Sequence, residues 1–296
     1  MSELANFIST MRIALDKLEA TTKQPKLDVK EDYCCVPLRL PQYNRMEGLK
    51  FFIENKAEIQ AWCEKNPTAD DVYYVSEDET LPLYLTEPSV VMAGSCIVAG
   101  LHKEIRYIAD ANKLIYSDIC GWKPSDIDIF HLGTDKPIRN KDLCGVDLVH
   151  VTDKTVTDLL LNFDLPCCRA ARDFKGNLWI TAQCVNSILT GVQMIPESIS
   201  TPEKFMEMGG KVLTLEMVVD RQTITDQNRR NCKVREYNPE LVKDTRDAML
   251  RWFAERFFDR LKKYEDRGFK VKFVKTGSVP SWLVKRFTYA QPNIGK

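Results

Sequence analysis

Apolar residues follow two different periods along this chain, which predicts a protein that contains both helices and strands. Helices are predicted where apolar positions recur every three or four residues, and strands where short β-prone runs are bounded by turn residues. The predicted helices cover residues 3–19, 46–65, 96–115, 154–162, 184–190 and 239–267. The predicted strands cover residues 72–75, 89–93, 125–130, 145–151, 167–171, 178–181, 211–219 and 269–274. This succession indicates an α/β or α+β fold in which helices flank a sheet.

The centre of the pattern is an apolar strand followed by a turn and a helix. The run Val90–Ala93 leads to Gly94 and Ser95, and the helical pattern starts at the next residue. The first N–H groups of a helix have no partner within the helix and carry the positive end of its dipole. A helix that begins just after a glycine is therefore a suitable site for an anion such as a phosphate group.

Two carboxylates follow on the next predicted strand. Asp126 and Asp128 alternate with Ile127 and Ile129, so both acidic side chains point to one face of the sheet. Like charges held this close repel each other unless a cation or a proton lies between them. A hard divalent ion, Mg²⁺ or Mn²⁺, meets this need because it prefers oxygen ligands. The alternative is a solvated strand end, since such pairs arise easily in a chain with 42 acidic residues.

The Gly-Ser turn, the helix and the Asp-x-Asp strand, with Gly94, Ser95, Asp126 and Asp128, resemble the nucleotidyltransferase superfamily, which includes DNA polymerase beta and the poly(A) polymerases. Thirty residues lie between Ser95 and Asp126, which is a longer interval than in most members. The chain is also similar to a divergent nucleotidyltransferase-like group from large DNA viruses, fungi and other eukaryotes, which shares this long interval. The segments that carry this second resemblance are 122–130, 163–170 and 260–269.

The resemblance implies a fold, a reaction and a set of site residues. A nucleotidyltransferase-type mixed sheet would be followed by a mainly helical C-terminal region. The reaction would transfer a nucleoside monophosphate from a nucleoside triphosphate, such as ATP, to an RNA end, a protein side chain, a small molecule or a nucleotide. Asp126 and Asp128 would hold two Mg²⁺ or Mn²⁺ ions about 3.5–4 Å apart. Gly94 and Ser95 would contact the phosphates.

The resemblance also implies a third carboxylate on a neighbouring strand, for which the sequence offers two candidates. Asp164 precedes the predicted strand at residue 167, and Asp147 lies within the predicted strand 145–151. We favour Asp164, because a side chain at the start of a strand can reach the end of a neighbouring one. Asp147 stays an alternative, since a carboxylate in an apolar strand must find a partner or be buried at a cost of several kcal/mol. Asp164 would otherwise cap a turn before Pro166.

Two other function classes compete with nucleotidyl transfer. The first is a catalytically inactive protein that keeps the fold as a binding or interaction module. The second is a phosphohydrolase with a two-metal carboxylate site, which is the weaker alternative because the chain has only 3 histidines. Fold resemblance does not by itself distinguish these classes.

Length and charge agree with a large globular protein and set a limit on its partners. The 296 residues are divided into an N-terminal helical region (1–69), a nucleotidyltransferase-like core (70–182), a mainly helical region (183–275) and an irregular tail (276–296). Lysine plus arginine equals aspartate plus glutamate at 42 each, so the formal net charge is zero. A long basic surface for nucleic acid is therefore not expected, although a local basic patch is compatible with this balance.

The 10 cysteines are predicted to be free thiols in a reducing compartment, in the cytoplasm or elsewhere inside the cell. The N-terminal residues show no basic segment followed by an apolar one, so no secretory signal is predicted. Adjacent pairs such as Cys34–Cys35 and Cys167–Cys168 are poor disulfide partners, because neighbours on a strand point in opposite directions. No apolar run reaches the length of a membrane span, and no Cys/His cluster indicates a structural zinc site.

Overall fold

The computed structural model describes residues 45–67, 69–75, 88–109, 122, 127–135, 138–141, 146–214, 217–218, 239–276 and 279–289. All of these residues belong to one compact unit that covers residues 37–296. No helix within the described ranges has the length and apolar character that a membrane crossing requires.

Both helices and strands occur along the described part of the chain. The helices are α1 (Arg45–Glu54), α2 (Lys56–Lys65), α3 (Ser95–Ala109), α4 (Val156–Leu161), α5 (Ala182–Thr190), α6 (Pro202–Val212), α7 (Pro239–Glu265) and α8 (Ser281–Tyr289). The strands are β1 (Val72–Val75), β2 (Val90–Ala93), β3 (Ile127–His131), β4 (Ile138–Lys141), β5 (Val146–His150), β6 (Ala170–Arg172), β7 (Leu178–Thr181), β8 (Val192–Pro196) and β9 (Lys270–Val274). The protein is therefore a mixed α/β protein.

Seven of the described strands form one mixed sheet in the order β1-β7-β6-β2-β3-β5-β4. Strands β3 and β5 are parallel, and the other neighbours in this sheet are antiparallel. Strands β8 and β9 form a separate parallel pair. The parallel pair β3–β5 lies beside β2, so the strand before Gly94 and the strand that carries Asp128 are direct neighbours.

The two faces of the main sheet pack against different apolar clusters. One face carries Val91, Ala93 and Phe130, and these residues pack with Val156 and Leu160 of α4. The other face belongs to the larger core, which collects side chains from every described helix except α4, from Leu49 to Phe287. Alternation of side chains along a strand separates the two sets. Side chains between residues 49 and 287 therefore belong to one core. This core includes residues on both sides of the region boundary that was predicted at residue 182.

Several predicted elements are confirmed, because their periodic pattern is long or their turn is distinctive. The long C-terminal helix is α7, and the strand after it is β9. The predicted hairpin is formed by β6 and β7, and Asp173 closes its turn by accepting hydrogen bonds from the backbone N–H groups of Lys175 and Asn177 at 2.9 and 2.8 Å.

The prediction that residues 276–296 form an irregular tail is wrong for Ser281–Tyr289, which is the helix α8. This helix is stabilised by burial of Trp282, Leu283 and Phe287 in the main core. The ring of Trp282 stacks on that of Phe257 with centroids 5.5 Å apart. Residues 290–296 lie outside the described residues. The sequence did not predict this short helix, because proline and glycine residues flank it and tertiary contacts stabilise it.

Two further differences have local causes. The predicted helix 46–65 is two helices, because the chain turns at Asn55, whose side-chain amide donates to the carbonyl of Phe51 at 2.9 Å. The predicted strand 211–219 is also wrong, since Lys211 and Val212 are the last residues of α6. Arg246 of α7 donates to the carbonyl oxygens of Gly210 and Leu213 at 2.6 and 2.7 Å, which satisfies acceptors at the end of that helix.

Candidate functional site

Strand β2, Gly94 and helix α3 form the predicted strand-turn-helix unit. Gly94 has a φ angle of +87°, a conformation that disfavours any residue with a side chain. Its N–H donates to the carbonyl of Ala170 at 2.9 Å, and its own carbonyl accepts from Ile97 and Val98 at 3.1 and 3.2 Å. Ser95 precedes these donors in the first turn of α3, at the end of the helix that favours anions.

The structure brings Asp128 and Asp147 side by side. They are register partners on the parallel strands β3 and β5, so their side chains leave the same face of the sheet. Neighbouring strands lie about 4.8 Å apart, which places the two carboxylates within reach of a common ion. Ala93 is the register partner of Asp128 on the other side, and it is the residue directly before Gly94. The turn and both carboxylates therefore meet at one place on the sheet.

Asp126, the other residue of the predicted Asp-x-Asp pair, lies outside the described residues. Within the described ranges, no group of three or more His, Cys, Asp or Glu side chains is arranged to hold a metal ion. Asp128 and Asp147 thus provide two adjacent carboxylates, and an ion bound between them needs further ligands. Carboxylate oxygens are the donors that Mg²⁺ and Mn²⁺ prefer, so the residues present fit such an ion.

Asp164, the favoured candidate for the third carboxylate, is engaged elsewhere. It is almost completely buried, and its carboxylate pairs with the guanidinium group of Arg260 on α7. A second guanidinium, that of Arg286 on α8, lies 3.6 Å from the same carboxylate oxygen. Two positive charges already balance this carboxylate, so it is poorly suited to bind a cation. Of the two candidates for the third carboxylate, Asp147 therefore lies next to Asp128, whereas Asp164 pairs with arginines.

Two neighbours define the surroundings of the turn. The ring of Phe163 lies 3.6 Å from where a Cβ atom on Gly94 would be, and it packs against Phe130 with centroids 5.6 Å apart. The thiol of Cys96, in the first turn of α3, is half-buried and lies near Asp128. Burial and the charge of Asp128 raise the pKa of Cys96 to about 11, so the free thiol stays protonated at neutral pH.

The sequence did not predict a buried ion pair, Asp70 with Arg169, that lies next to this region. Arg169 donates to the carboxylate of Asp70 at 2.7 Å and to the carbonyl of Phe163 at 2.9 Å. The other carboxylate oxygen of Asp70 accepts from the backbone N–H of Gln183 at 3.0 Å. The partners lie 99 residues apart in the chain, so no local pattern could have paired them. The pair fixes the segment that leads from Phe163 into β6.

No protein family, no curated protein and no solved structure gives a significant match to this chain. The function is therefore inferred from the geometry of the site.

Proposed function

We propose that this protein transfers a nucleoside monophosphate from a nucleoside triphosphate to an acceptor, with the help of Mg²⁺ or Mn²⁺. The observation that carries the proposal is the pairing of Asp128 with Asp147 in register. Asp128 also pairs with Ala93, the residue directly before Gly94. A carboxylate pair next to a helix N-terminus offers a place for a cation and a place for a phosphate at adjacent positions. Magnesium triphosphates present both groups together.

Each residue has a defined task in this proposal. Asp128, Asp147 and Asp126 hold the metal, which when bound supplies charge stabilisation at the reacting phosphate. Gly94 allows a phosphate to approach the backbone closely, because it has no side chain and keeps φ at +87°. Ser95 offers a hydroxyl and an N–H group to the phosphate oxygens. One of the carboxylates can also accept the proton of an acceptor hydroxyl.

The alternative is a protein that binds nucleotides without transferring them. The ion pairs of Asp164 with Arg260 and Arg286 favour this alternative, because they remove one of the carboxylates predicted for catalysis. Nucleotide binding would then depend on Gly94 and Ser95. The two functions differ in the role of Asp147, which acts as the third carboxylate in the transferase and has no catalytic role in the binding protein.

The test uses the full-length protein and nucleoside triphosphates labelled on the α-phosphate or on the γ-phosphate. Each triphosphate is incubated with Mg²⁺ or Mn²⁺ and with RNA, protein or small hydroxyl compounds as acceptors. Nucleotidyl transfer predicts that the α-label joins an acceptor and that the γ-label leaves as pyrophosphate. Release of the γ-label as inorganic phosphate instead identifies a phosphohydrolase.

The variants Asp128→Asn and Asp147→Asn should abolish transfer, whereas Asp164→Asn is the matched control that retains it. Calorimetry with a non-hydrolysable triphosphate separates binding from chemistry. Tight binding without transfer to any acceptor supports the binding module. Absence of metal-dependent triphosphate binding overturns nucleotidyl transfer, and absence of triphosphate binding both with and without metal overturns the binding module as well.

A further inference from the structure

Two histidines come together where two neighbouring strands end, within the part of the chain that the structure describes. His131 and His150 end the parallel strands β3 and β5 and are register partners. Their Nδ1 atoms lie 3.2 Å apart. The chain contains 3 histidines in all, so two of them meet at this position. The two histidines are 19 positions apart in the sequence, which gave no sign of this contact.

The separation of the two nitrogens matches that of two ligands on one ion. Zinc binds imidazole nitrogen at about 2.0–2.1 Å and prefers tetrahedral geometry, which places two ligand nitrogens about 3.3–3.4 Å apart. The observed 3.2 Å is close to this value. We propose that His131 and His150 bind a borderline divalent cation, Zn²⁺, through their Nδ1 atoms.

The backbone holds both rings in place. Each histidine also has a register partner on its other side. His131 pairs with Val90 on β2, and His150 pairs with Ile138 on β4. The carbonyl of His131 also accepts from the N–H of Val151 at 2.9 Å. Both residues lie within the sheet rather than on a loop, so the site is largely formed before an ion arrives.

The protonation state of the rings agrees with metal binding. Burial and the neighbouring His150 lower the pKa of His131, so this ring is neutral at neutral pH. In the hydrogen-bonded pair one Nδ1 carries the proton and the other accepts it. The donating ring must move its proton to Nε2 when the ion binds, which leaves both Nδ1 lone pairs available. Both side chains are half-buried, so water or an exogenous ligand can complete the coordination.

This site differs from the carboxylate site in position and in chemistry. His131 lies three residues beyond Asp128 on β3, which is about 10 Å along the strand. Because the interval is odd, the histidine and carboxylate pairs leave opposite faces of the sheet. Imidazole ligands favour Zn²⁺, whereas carboxylate ligands favour Mg²⁺. Zinc binding by the histidine pair therefore does not depend on nucleotidyl transfer at the carboxylate pair.

The test measures Zn²⁺ affinity of the full-length, reduced protein by competition with a chromophoric chelator. Each of the variants His131→Gln and His150→Gln should weaken binding at least about tenfold, since losing a ligand costs no less than losing a supporting residue. His102→Gln is the matched control, because it removes the third histidine and should leave the affinity unchanged. Asp128→Asn should also leave it unchanged, which separates this result from the fate of the carboxylate site.

Two further readouts keep the test decisive if a variant fails to fold. Zinc should protect His131 and His150 of the wild-type protein from modification by diethyl pyrocarbonate, while His102 keeps its rate. Cobalt bound in place of zinc should lack the intense absorption of thiolate ligands. Equal zinc affinity in folded variants, unprotected histidines, or a thiolate band that accounts for the bound cobalt would each overturn the proposal.

Discussion

Exchange of Asp164 for asparagine should destabilise the protein and leave the proposed metal site intact. The same exchange at Asp147 should remove the proposed metal site and cost less stability. The two carboxylates are matched, since the residues are 5% and 6% exposed. They differ in their surroundings. Asp164 faces the guanidinium groups of Arg260 and Arg286, whereas Asp147 is the register partner of Asp128.

The loss of stability at Asp164 follows from the charges that the substitution leaves behind. Removing one partner of a fully buried ion pair costs about 3–5 kcal/mol. The side chains of Arg260 and Arg286 are 39% and 25% exposed, so water screens part of their repulsion. We therefore expect a loss of about 2–3 kcal/mol, after this discount for solvent exposure. For a large domain, each kcal/mol lowers the melting temperature by about 2–4 °C.

The assay records melting temperatures with and without saturating Mg²⁺ and a non-hydrolysable triphosphate. Asp164→Asn should melt about 4–12 °C below the wild type and should keep the full stabilisation by the ligands. Asp147→Asn and Asp128→Asn should lose most of that stabilisation, because ligands stabilise only the state that binds them. A second variant with Arg260→Met and Asp164→Leu should recover part of the lost stability, since an apolar pair leaves less charge unbalanced.

The opposite pattern would refute this reasoning. If Asp164→Asn abolished the ligand-dependent shift while Asp147→Asn kept it, Asp164 would be the metal carboxylate despite its arginine partners. If Asp164→Asn melted with the wild type, the cluster with Arg260 and Arg286 would contribute nothing measurable. Either result would require a different assignment of the site.

Two other predictions address the turn and the thiols. Gly94→Ala should cost about 1–3 kcal/mol of stability through backbone strain and should also weaken triphosphate binding. Gly133→Ala, which also changes a glycine at positive φ, should cost stability alone. Equal triphosphate affinity in both variants would exclude a role for Gly94 in the site. Burial raises the pKa of Cys63 to about 12 and that of Cys96 to about 11, so iodoacetamide at pH 8 should label them only after denaturation. Because these folded-state pKa values exceed those of unfolded thiols, stability should fall as pH rises above about 9. Rapid native labelling at pH 8 would contradict this burial.

The sequence alone determined the elements whose signals are local. The strand that ends at Gly94 and the helix after it follow from an apolar run, a glycine and a helical period. The long helix α7 and the β6–β7 hairpin follow from repeated spacing and a turn sequence. Alternation along β3 also fixed which of its residues share a face with Asp128. These features depend on neighbours within a few residues, which the sequence displays directly.

Only the tertiary structure decided which side chains meet. Asp128 faces Asp147 because β3 and β5 pair in parallel with one particular register. Asp164 finds Arg260, 96 residues away, because α7 packs beside the segment that follows α4. A periodic pattern states which face of an element is buried, but the partner element and the register are set by long-range packing of the whole core. For this reason the sequence predicted a carboxylate pair at Asp126 and Asp128, and only the fold revealed that Asp147 lies beside Asp128.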